Sequence, residues 1–358
     1  MTKTQALEKL IKGRGAQLNT PDPYANLSKG ITRPDQEDLD MGAHTKSKYL
    51  MVHPKTIVNE VKSPDVGMEY SINPYQGCEH GCIYCYARNT HPYWGYSAGL
   101  DFESKILVKL NAAELLRQHL RNPRWRATPI VLSGNTDCYQ PAEQKFKLTR
   151  SLLQVFHEFR HPVGIITKNA LVQRDTEILV ELQKDQLVKV IISVTTLDDQ
   201  LRQKMEPRTA SIKKRLQTIA HLAKEGIPVS VMVAPVIPGI NEHEIMEIIR
   251  ICSLMGAQSA GYAIARLNGD VATIFADWLT LAFPDRKDKV LNKISDCHGG
   301  KLSDSRFGTR MKGEGKIAES IKNQFHLAVT KFMGNQDPVK LNTDLYSNNR
   351  SPQLQMDF

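Results

Sequence analysis

The 358-residue chain has no uninterrupted apolar run approaching the roughly 20 residues that cross a bilayer, and its first 18 residues lack the apolar core of a secretion signal. Neither a membrane span nor export is expected, and the protein reads as cytoplasmic. Cysteine is scarce as well: of six, Cys138, Cys252 and Cys297 are scattered, which is not a disulfide framework. An internal repeat and a coiled-coil heptad are also missing, which excludes solenoids and long rods. Hydrophobic residues make up 41% of the chain, enough for a core, and the length suits one large α/β domain of roughly 200–250 residues plus extensions.

The other three cysteines are gathered. Residues 75–88 read Tyr-Gln-Gly-Cys-Glu-His-Gly-Cys-Ile-Tyr-Cys-Tyr-Ala-Arg, so that Cys78, Cys82 and Cys85 are spaced by three and then two residues on a loop that Gly77 and Gly81 allow to curl. Soft thiolates select iron–sulfur, zinc or cuprous sites over magnesium or calcium. A [4Fe–4S] cluster normally takes four thiolates, one per iron. With only three here, one iron stays open for an outside ligand, as a cofactor site requires and an electron-transfer ferredoxin does not. The other reading is a structural zinc site with His80 or a distant residue as fourth ligand. Such sites usually pair two short hooks, and no second hook is present.

Residues 1–48 are polar and carry no sustained apolar period, so they read as an irregular arm whose basic start (Lys3, Lys9, Lys12, Arg14) either touches phosphate or is simply solvated, the second being expected. From Tyr49 short apolar runs alternate with amphipathic stretches. Strands are expected at 70–73, 129–134, 163–167, 188–194, 228–236 and 260–267, with an extended segment at 102–110. Helices are expected from Asn111, a candidate N-cap with Glu114 at the capping-box position, to 121, and at 145–160, 175–184, 211–225, 242–255 and 272–283. Continuous apolar strands separated by ordinary helices argue for a parallel sheet, and right-handed crossovers curl it into a complete or partial barrel. Six units are counted, short of the eight of a full ring. The core is assigned to 49–284, followed by a basic extension (285–333) with a helix near 318–332 and a polar tail (334–358).

In parallel α/β folds ligands meet the carboxyl ends of the strands. Those ends carry 133–137 (Ser-Gly-Asn-Thr-Asp), 167–169 (Thr-Lys-Asn), 193–196 (Ser-Val-Thr-Thr) and 234–240 (Ala-Pro-Val-Ile-Pro-Gly-Ile). A lysine there suits a carboxylate, hydroxyls suit a ribose or an amino group, and a Pro-Gly turn suits an approaching adenine.

The C-x3-C-x2-C spacing, with Tyr84 just before the third cysteine, resembles the signature of the radical S-adenosylmethionine (SAM) enzymes. That resemblance implies a partial (β/α)6 barrel, a [4Fe–4S] cluster whose open iron is chelated by SAM, reductive cleavage to a 5′-deoxyadenosyl radical, and an electron donor such as flavodoxin or ferredoxin. The cysteine block, Thr167-Lys-Asn, Glu206-Pro207 with Arg215 beyond, and Val233-Ala-Pro-Val-Ile-Pro-Gly look like the blocks of the spore photoproduct lyase group, over residues 70–267. The namesake of that group reverses a thymine dimer photoproduct in DNA. The resemblance implies that Thr136, Lys168 and Ser193 contact the amino, carboxylate and ribose parts of SAM. It implies too that the backbone of Tyr84 lies near the adenine and that Tyr86 relays a radical. For each residue the alternative is a buried or loop-stabilising hydrogen bond.

One position departs from the pattern. Where the lyase carries its hydrogen-donating cysteine, this chain has Gly134; a thiol follows at Cys138, a candidate for the missing donor or an inert core residue.

The formal net charge of +9 permits attraction to a polyanion. Residues 117–126 interleave arginines with Trp125, which could stack on a base, and residues 306–316 read as a flexible basic loop. At the end of the chain Gln353, Met356 and Phe358 resemble the Q-x-x-(L/M)-x-F peptides that dock bacterial DNA-processing proteins on the replication sliding clamp. The expected function is thus a radical SAM enzyme abstracting hydrogen from a substrate, damaged DNA or other nucleic acid. The alternatives are a small-molecule or protein substrate, or a zinc-stabilised DNA-associated accessory protein.

Overall fold

The computed structural model describes residues 11–21, 24, 46–334 and 339–348. In chain order the strands are β1 (Lys48–Val52), β2 (Val58–Glu60), β3 (Tyr70–Ile72), β4 (Tyr75–Gln76), β5 (Lys105–Lys109), β6 (Ile130–Leu132), β7 (Val163–Thr167), β8 (Val188–Ser193), β9 (Val229–Val236) and β10 (Ser259–Ile264). The helices are α1 (Leu100–Ser104), α2 (Ala112–Leu120), α3 (Ala142–Phe146), α4 (Leu148–Glu158), α5 (Thr176–Lys184), α6 (Asp199–Met205), α7 (Ile212–Lys224), α8 (Ile245–Leu254), α9 (Asp270–Ala282), α10 (Lys287–Asp296) and α11 (Gly315–Phe332).

Six strands, β3, β6, β7, β8, β9 and β10, lie parallel in that order, and β2 adds antiparallel to the β3 edge. Their central residues are buried because helices cover the outer face, as continuous apolar runs require. Ile130 pairs with Val163 and Ile165 with Val190 in register. α4 buries Leu148, Leu152, Val155 and Phe156 at helical spacing, and burial of each large side chain contributes about 1.5–3 kcal/mol. Ser211 caps α7 by accepting a hydrogen bond from the Lys214 amide, 3.4 Å away.

The sheet curls. Segment 302–313 runs beside β10, where Leu302 O accepts from the Leu267 amide (2.8 Å) and Met311 O from the Ile264 amide (2.9 Å). From there Arg310 makes a two-pronged pair with Asp65, between β2 and β3, at 2.6 and 2.7 Å. The two sheet edges are therefore brought towards one another, giving the open α/β barrel expected.

Several local expectations change. Residues 102–110 are not one extended segment: α1 precedes β5, which pairs with β1 and β4 in a separate three-stranded sheet. The helix expected over 145–160 breaks at Lys147, whose φ is 52°. Asn111 makes no side-chain cap; its amide donates to Pro54 O. The charged stretch after 285 holds α10, which buries Val290 and Ile294 on one stripe.

The expected solvated basic start is corrected at Arg14, which is buried and donates from Nη1 to Glu103 O. Trp125 is not free to stack on a base: its indole donates to His161 Nε2 (3.0 Å), and its ring packs edge-on against Tyr70 and His119. Nor is the basic stretch 306–316 loose, since Arg306 pairs with Asp304 and Glu314, and Lys312 Nζ donates to Tyr262 O. Gln353, Met356 and Phe358 lie outside the described residues.

Candidate active site

The loop that follows β3 is held from outside and from below. Gly77 and Gly81 have φ of +80° and +67°, the left-handed region that glycine enters without penalty. A side chain at Gly81 would meet Glu103 Oε2 at 2.7 Å. The Cys78 amide donates to Phe102 O (2.8 Å) and the Ile83 amide to Met205 O (3.1 Å). Gln140 braces the loop twice, accepting from the Glu79 amide and donating to Gly77 O, both at 3.0 Å.

A fully buried ion pair, Arg88–Glu103, anchors the far end. Arg88 donates to the carbonyls of Cys82, Ala98 and Gly99 at 3.0–3.1 Å, while Glu103 also accepts from the amides of Gly15 (2.9 Å) and Ala16 (2.7 Å). The N-terminal residues 13–20 thus form a strap on the outer side of the cysteine loop. Gly15 lies so close that a Cβ there would be 1.8 Å from Gly81 O.

Two further buried knots tie the loop to the strand ends. His80 Nδ1 lies 3.3 Å from Asp137 Oδ2, and its Nε2 is 3.2 Å from Asn169 Nδ2. Asp137 also accepts from Thr167 Oγ1 and from the Lys168 amide, both at 2.8 Å, so one carboxylate joins the loop to the ends of β6 and β7. Burial alone would raise the Asp137 carboxyl, but His80 and these donors more than offset it and hold it low. In the second knot Tyr84 donates to Glu206, which also accepts from Thr195 Oγ1 (2.7 Å) and pairs with buried Arg215. Burial opposes ionisation of Glu206, and Arg215 and Lys168 overcome it, bringing its pKa to about 2. Arg215 in turn donates to Ser193 O (2.9 Å), so this knot ends on β8.

The nominated residues do not all share one environment. Cys78 and Cys82 are buried and Cys85 partly so, all as free thiols. Lys168 lies partly exposed after β7, its Nζ 6.0 Å from the centre of the Tyr84 ring. Ser193 is buried at the end of β8. Thr136 is 1% exposed and donates to Tyr75 O at 2.6 Å, so its hydroxyl proton is committed to the backbone. Tyr86 is 50% exposed, with its phenol donating to Gly134 O. Cys138 is fully buried in the main core, with its amide and carbonyl bonded to Ser133 and Thr149; burial pushes its thiol up. At Gly134 a Cβ would meet Ser71 Cβ at 2.5 Å, which explains why no side chain stands at that position.

Sequence reasoning missed Glu103, the strap, and Arg266, which follows β10 and donates from Nη1 to Asp304 O at 2.8 Å. An acid inside the apolar stretch 102–108 was the available signal for Glu103.

The donor set fits a [4Fe–4S] cluster. The three cysteines share one desolvated loop, and burial, then Asp137, then Cys82 and Cys85 raise the Cys78 thiol. Among the described residues no three His, Cys, Asp or Glu side chains are grouped as a single metal ion needs, whereas a cluster takes each thiolate on a separate iron. The remaining cysteines, Cys138, Cys252 and Cys297, are fully buried in the main core. His80 has both ring nitrogens engaged, which removes it as the fourth ligand of a zinc site.

Comparison with known proteins agrees with this geometry. Residues 72–252 match the family model described as Radical SAM superfamily. An uncharacterized protein of Mycobacterium tuberculosis is 32% identical over 234 residues, 64% of this chain and 69% of that one. A protein of Pseudomonas phage M6 named radical SAM Nalpha-GlyT isomerase is 29% identical over 173 residues, 48% of this chain and 34% of its own. Among solved structures, a spore photoproduct lyase variant with bound AdoMet and dinucleoside spore photoproduct superposes with a TM-score of 0.59 at 17% identity, covering 85% of this chain and 86% of that one. With the cysteine loop held at the carboxyl ends of six parallel strands, the chain belongs to the radical SAM superfamily, in the fold of spore photoproduct lyase.

Proposed function

We propose that Cys78, Cys82 and Cys85 hold a [4Fe–4S] cluster, that Lys168, Ser193, Thr136 and the backbone of Tyr84 bind SAM beside it, and that the substrate is nucleic acid. The observation that carries this reading is the loop of three thiols, two buried and one partly so, braced by the Asp137 and Glu206 knots against the ends of β6, β7 and β8. When bound, the group supplies a reducing electron and an adenosyl radical able to abstract hydrogen.

The chain's own residues bind, orient and exclude water. Lys168 offers an ammonium for the SAM carboxylate, since among the described residues its Nζ donates to no carboxylate and instead faces the Tyr84 ring. Ionised Glu206 and Arg215 keep Tyr84 in place, and Asp137 fixes the His80 ring so that Nδ1 donates and Nε2 accepts. Tyr86, half exposed beside Gly134, is the residue that meets the substrate. The substrate class rests on the lyase variant bound to a dinucleoside photoproduct, whose fold this chain shares. An electron donor such as flavodoxin or ferredoxin completes the partners.

The sliding clamp is a further proposed partner through Gln353, Met356 and Phe358. Its support is where the described chain ends: Tyr346 donates to Leu120 O, and the Asn342 amide to Gln186 O at 2.9 Å. Those contacts lie at the amino ends of the strands, away from the cysteine loop.

The deciding experiment is anaerobic reconstitution with iron and sulfide, reduction with dithionite, and assay of 5′-deoxyadenosine from SAM beside a Cys78→Ala control. Deoxyadenosine from the wild type alone is expected. A colourless protein holding tight zinc, with no SAM turnover, would refute the reading.

A further inference from the structure

Of the basic segment 306–316, the structure neutralises the arginines and leaves an aromatic. Arg306 is paired with Asp304 and Glu314, and Arg310 with Asp65. Phe307 between them is 57% exposed, with the Arg310 guanidinium 4.5 Å from its ring centre, which holds the ring in place without covering it. The contact with the cation is attractive, so the ring is ordered while it stays open to an aromatic partner.

Arg266 follows β10 by two residues, on the rim where ligands meet this fold, and its partner Asp304 lies three residues before Phe307 in the chain. Arg266 is partly buried, and its single hydrogen bond goes to a backbone oxygen, Asp304 O; no carboxylate among the described residues pairs with it. A guanidinium has five donors, so four remain for a ligand. The groups facing it are the paired ions Asp65, Asp304 and Arg310 and the phenol of Tyr86. Tyr86 is itself half exposed and reaches across to Gly134 at the end of β6. One rim thus presents an uncommitted guanidinium, an exposed aromatic face and an exposed phenol.

We infer that Arg266, Phe307 and Tyr86 form a subsite for one nucleotide of a single-stranded or flipped-out strand, with Arg266 on the phosphate and Phe307 stacked on the base. The inference rests on the nucleic-acid reading above and says which residues grip the strand. Guanidinium and aromatic ring are the pair that single-strand binding uses, the cation for the backbone and the ring for any base face. A small carboxylate or peptide would use the cation but not the ring.

The test uses the reconstituted full chain and a fluorescein-labelled 15-nucleotide oligo(dT), with anisotropy followed over a series of salt concentrations. Arg266→Gln is expected to weaken binding about tenfold and to lower the salt slope by about one. Phe307→Ala is expected to weaken it about tenfold with the slope unchanged, and Phe307→Leu nearly as much, because leucine is apolar but cannot stack. Arg250→Gln, on the outer surface of α8 and paired with Glu247, is the control expected to bind as the wild type does. Arg266→Lys keeps the charge and guards against a folding defect; it should retain the salt slope. If the wild type binds and neither Arg266→Gln nor Phe307→Ala weakens it beyond Arg250→Gln, the subsite is wrong while the nucleic-acid reading stands. If the wild type fails to bind at all, both are wrong, and deoxyadenosine formation still reports separately on the radical chemistry.

Discussion

Replacing Glu103 by Gln would remove one charge from a fully buried ion pair and leave Arg88 uncompensated. Breaking such a pair by removing one partner costs about 3–5 kcal/mol. The amide also brings a donor where two backbone amides, Gly15 and Ala16, and the Arg88 guanidinium already donate. One of these is then left unsatisfied, at about 1–3 kcal/mol. The sum, on the order of 5 kcal/mol, compares with the lower end of a whole domain's stability. The cheapest relief is local, because residues 14–16 are held through Glu103, whereas residues 18–20 have their own bonds to Ser97, Leu100, Asp101 and Asp270. The first part of the strap should therefore detach while the barrel stays folded. Hydrogen exchange across residues 11–16 is expected to lose protection, and trypsin should cut after Arg14, which is buried in the wild type. Glu181→Gln, an exposed pair on α5, serves as the control and should change stability by no more than about 0.5 kcal/mol. Full protection of residues 13–16 in Glu103→Gln would refute the claim that this carboxylate holds the strap.

Gly15→Ala tests the same strap without touching a charge: with a Cβ 1.8 Å from Gly81 O, proteolysis should release the segment as in Glu103→Gln, whereas an unchanged digest would count against the contact. At the position of the missing thiol, Gly134→Cys should lower the melting temperature by overpacking, at about 1–3 kcal/mol, and Ser71→Gly in the same chain should restore most of it, because Ser71 is the clashing neighbour. His161 gives a pH dependence: its Nε2 accepts from Trp125, so its proton sits on Nδ1 facing Pro162 O, and burial lowers its pKa to about 4. The unfolded chain then binds a proton below about 6.5 that the folded chain refuses, so stability falls as pH drops from 6.5 towards 4, by about 2 kcal/mol at pH 5. Urea denaturation at pH 7 and pH 5 should show a loss about that much larger in the wild type than in His161→Gln; equal losses would mean His161 is not the group.

What the sequence made legible was local. The cysteine loop, its two glycines and the strand ends are each contained in a few consecutive residues, and continuous apolar runs identified all six parallel strands. What it hid was pairing over distance. Glu103 meets the amides of residues 15 and 16, and Arg310 meets Asp65, 245 residues away, so a stretch that looks like free positive charge is largely neutralised. Trp125 misled for the related reason that a partly apolar ring among arginines looks the same whether it faces a base or the core. α10 escaped because only Val290 and Ile294 mark its buried stripe among charged neighbours.

The molecule separates what must be rigid from what is free to differ. The cysteine loop is fixed to the barrel by three buried knots, the ion pairs Arg88–Glu103 and Arg215–Glu206 and the His80–Asp137 contact, each touching a different side of it. Such pairs contribute little net stability but specify geometry, because a shifted loop would strand charges in the interior. A site whose cofactor geometry is set in this way tolerates change at its rim. Gly134 against Ser71, half-exposed Tyr86 and uncommitted Arg266 are all on that rim, and none belongs to a knot. A fold shared with spore photoproduct lyase at 17% identity fits that division: the buried charges hold the loop in place, while at the rim Ser71 lies where a side chain at position 134 would stand.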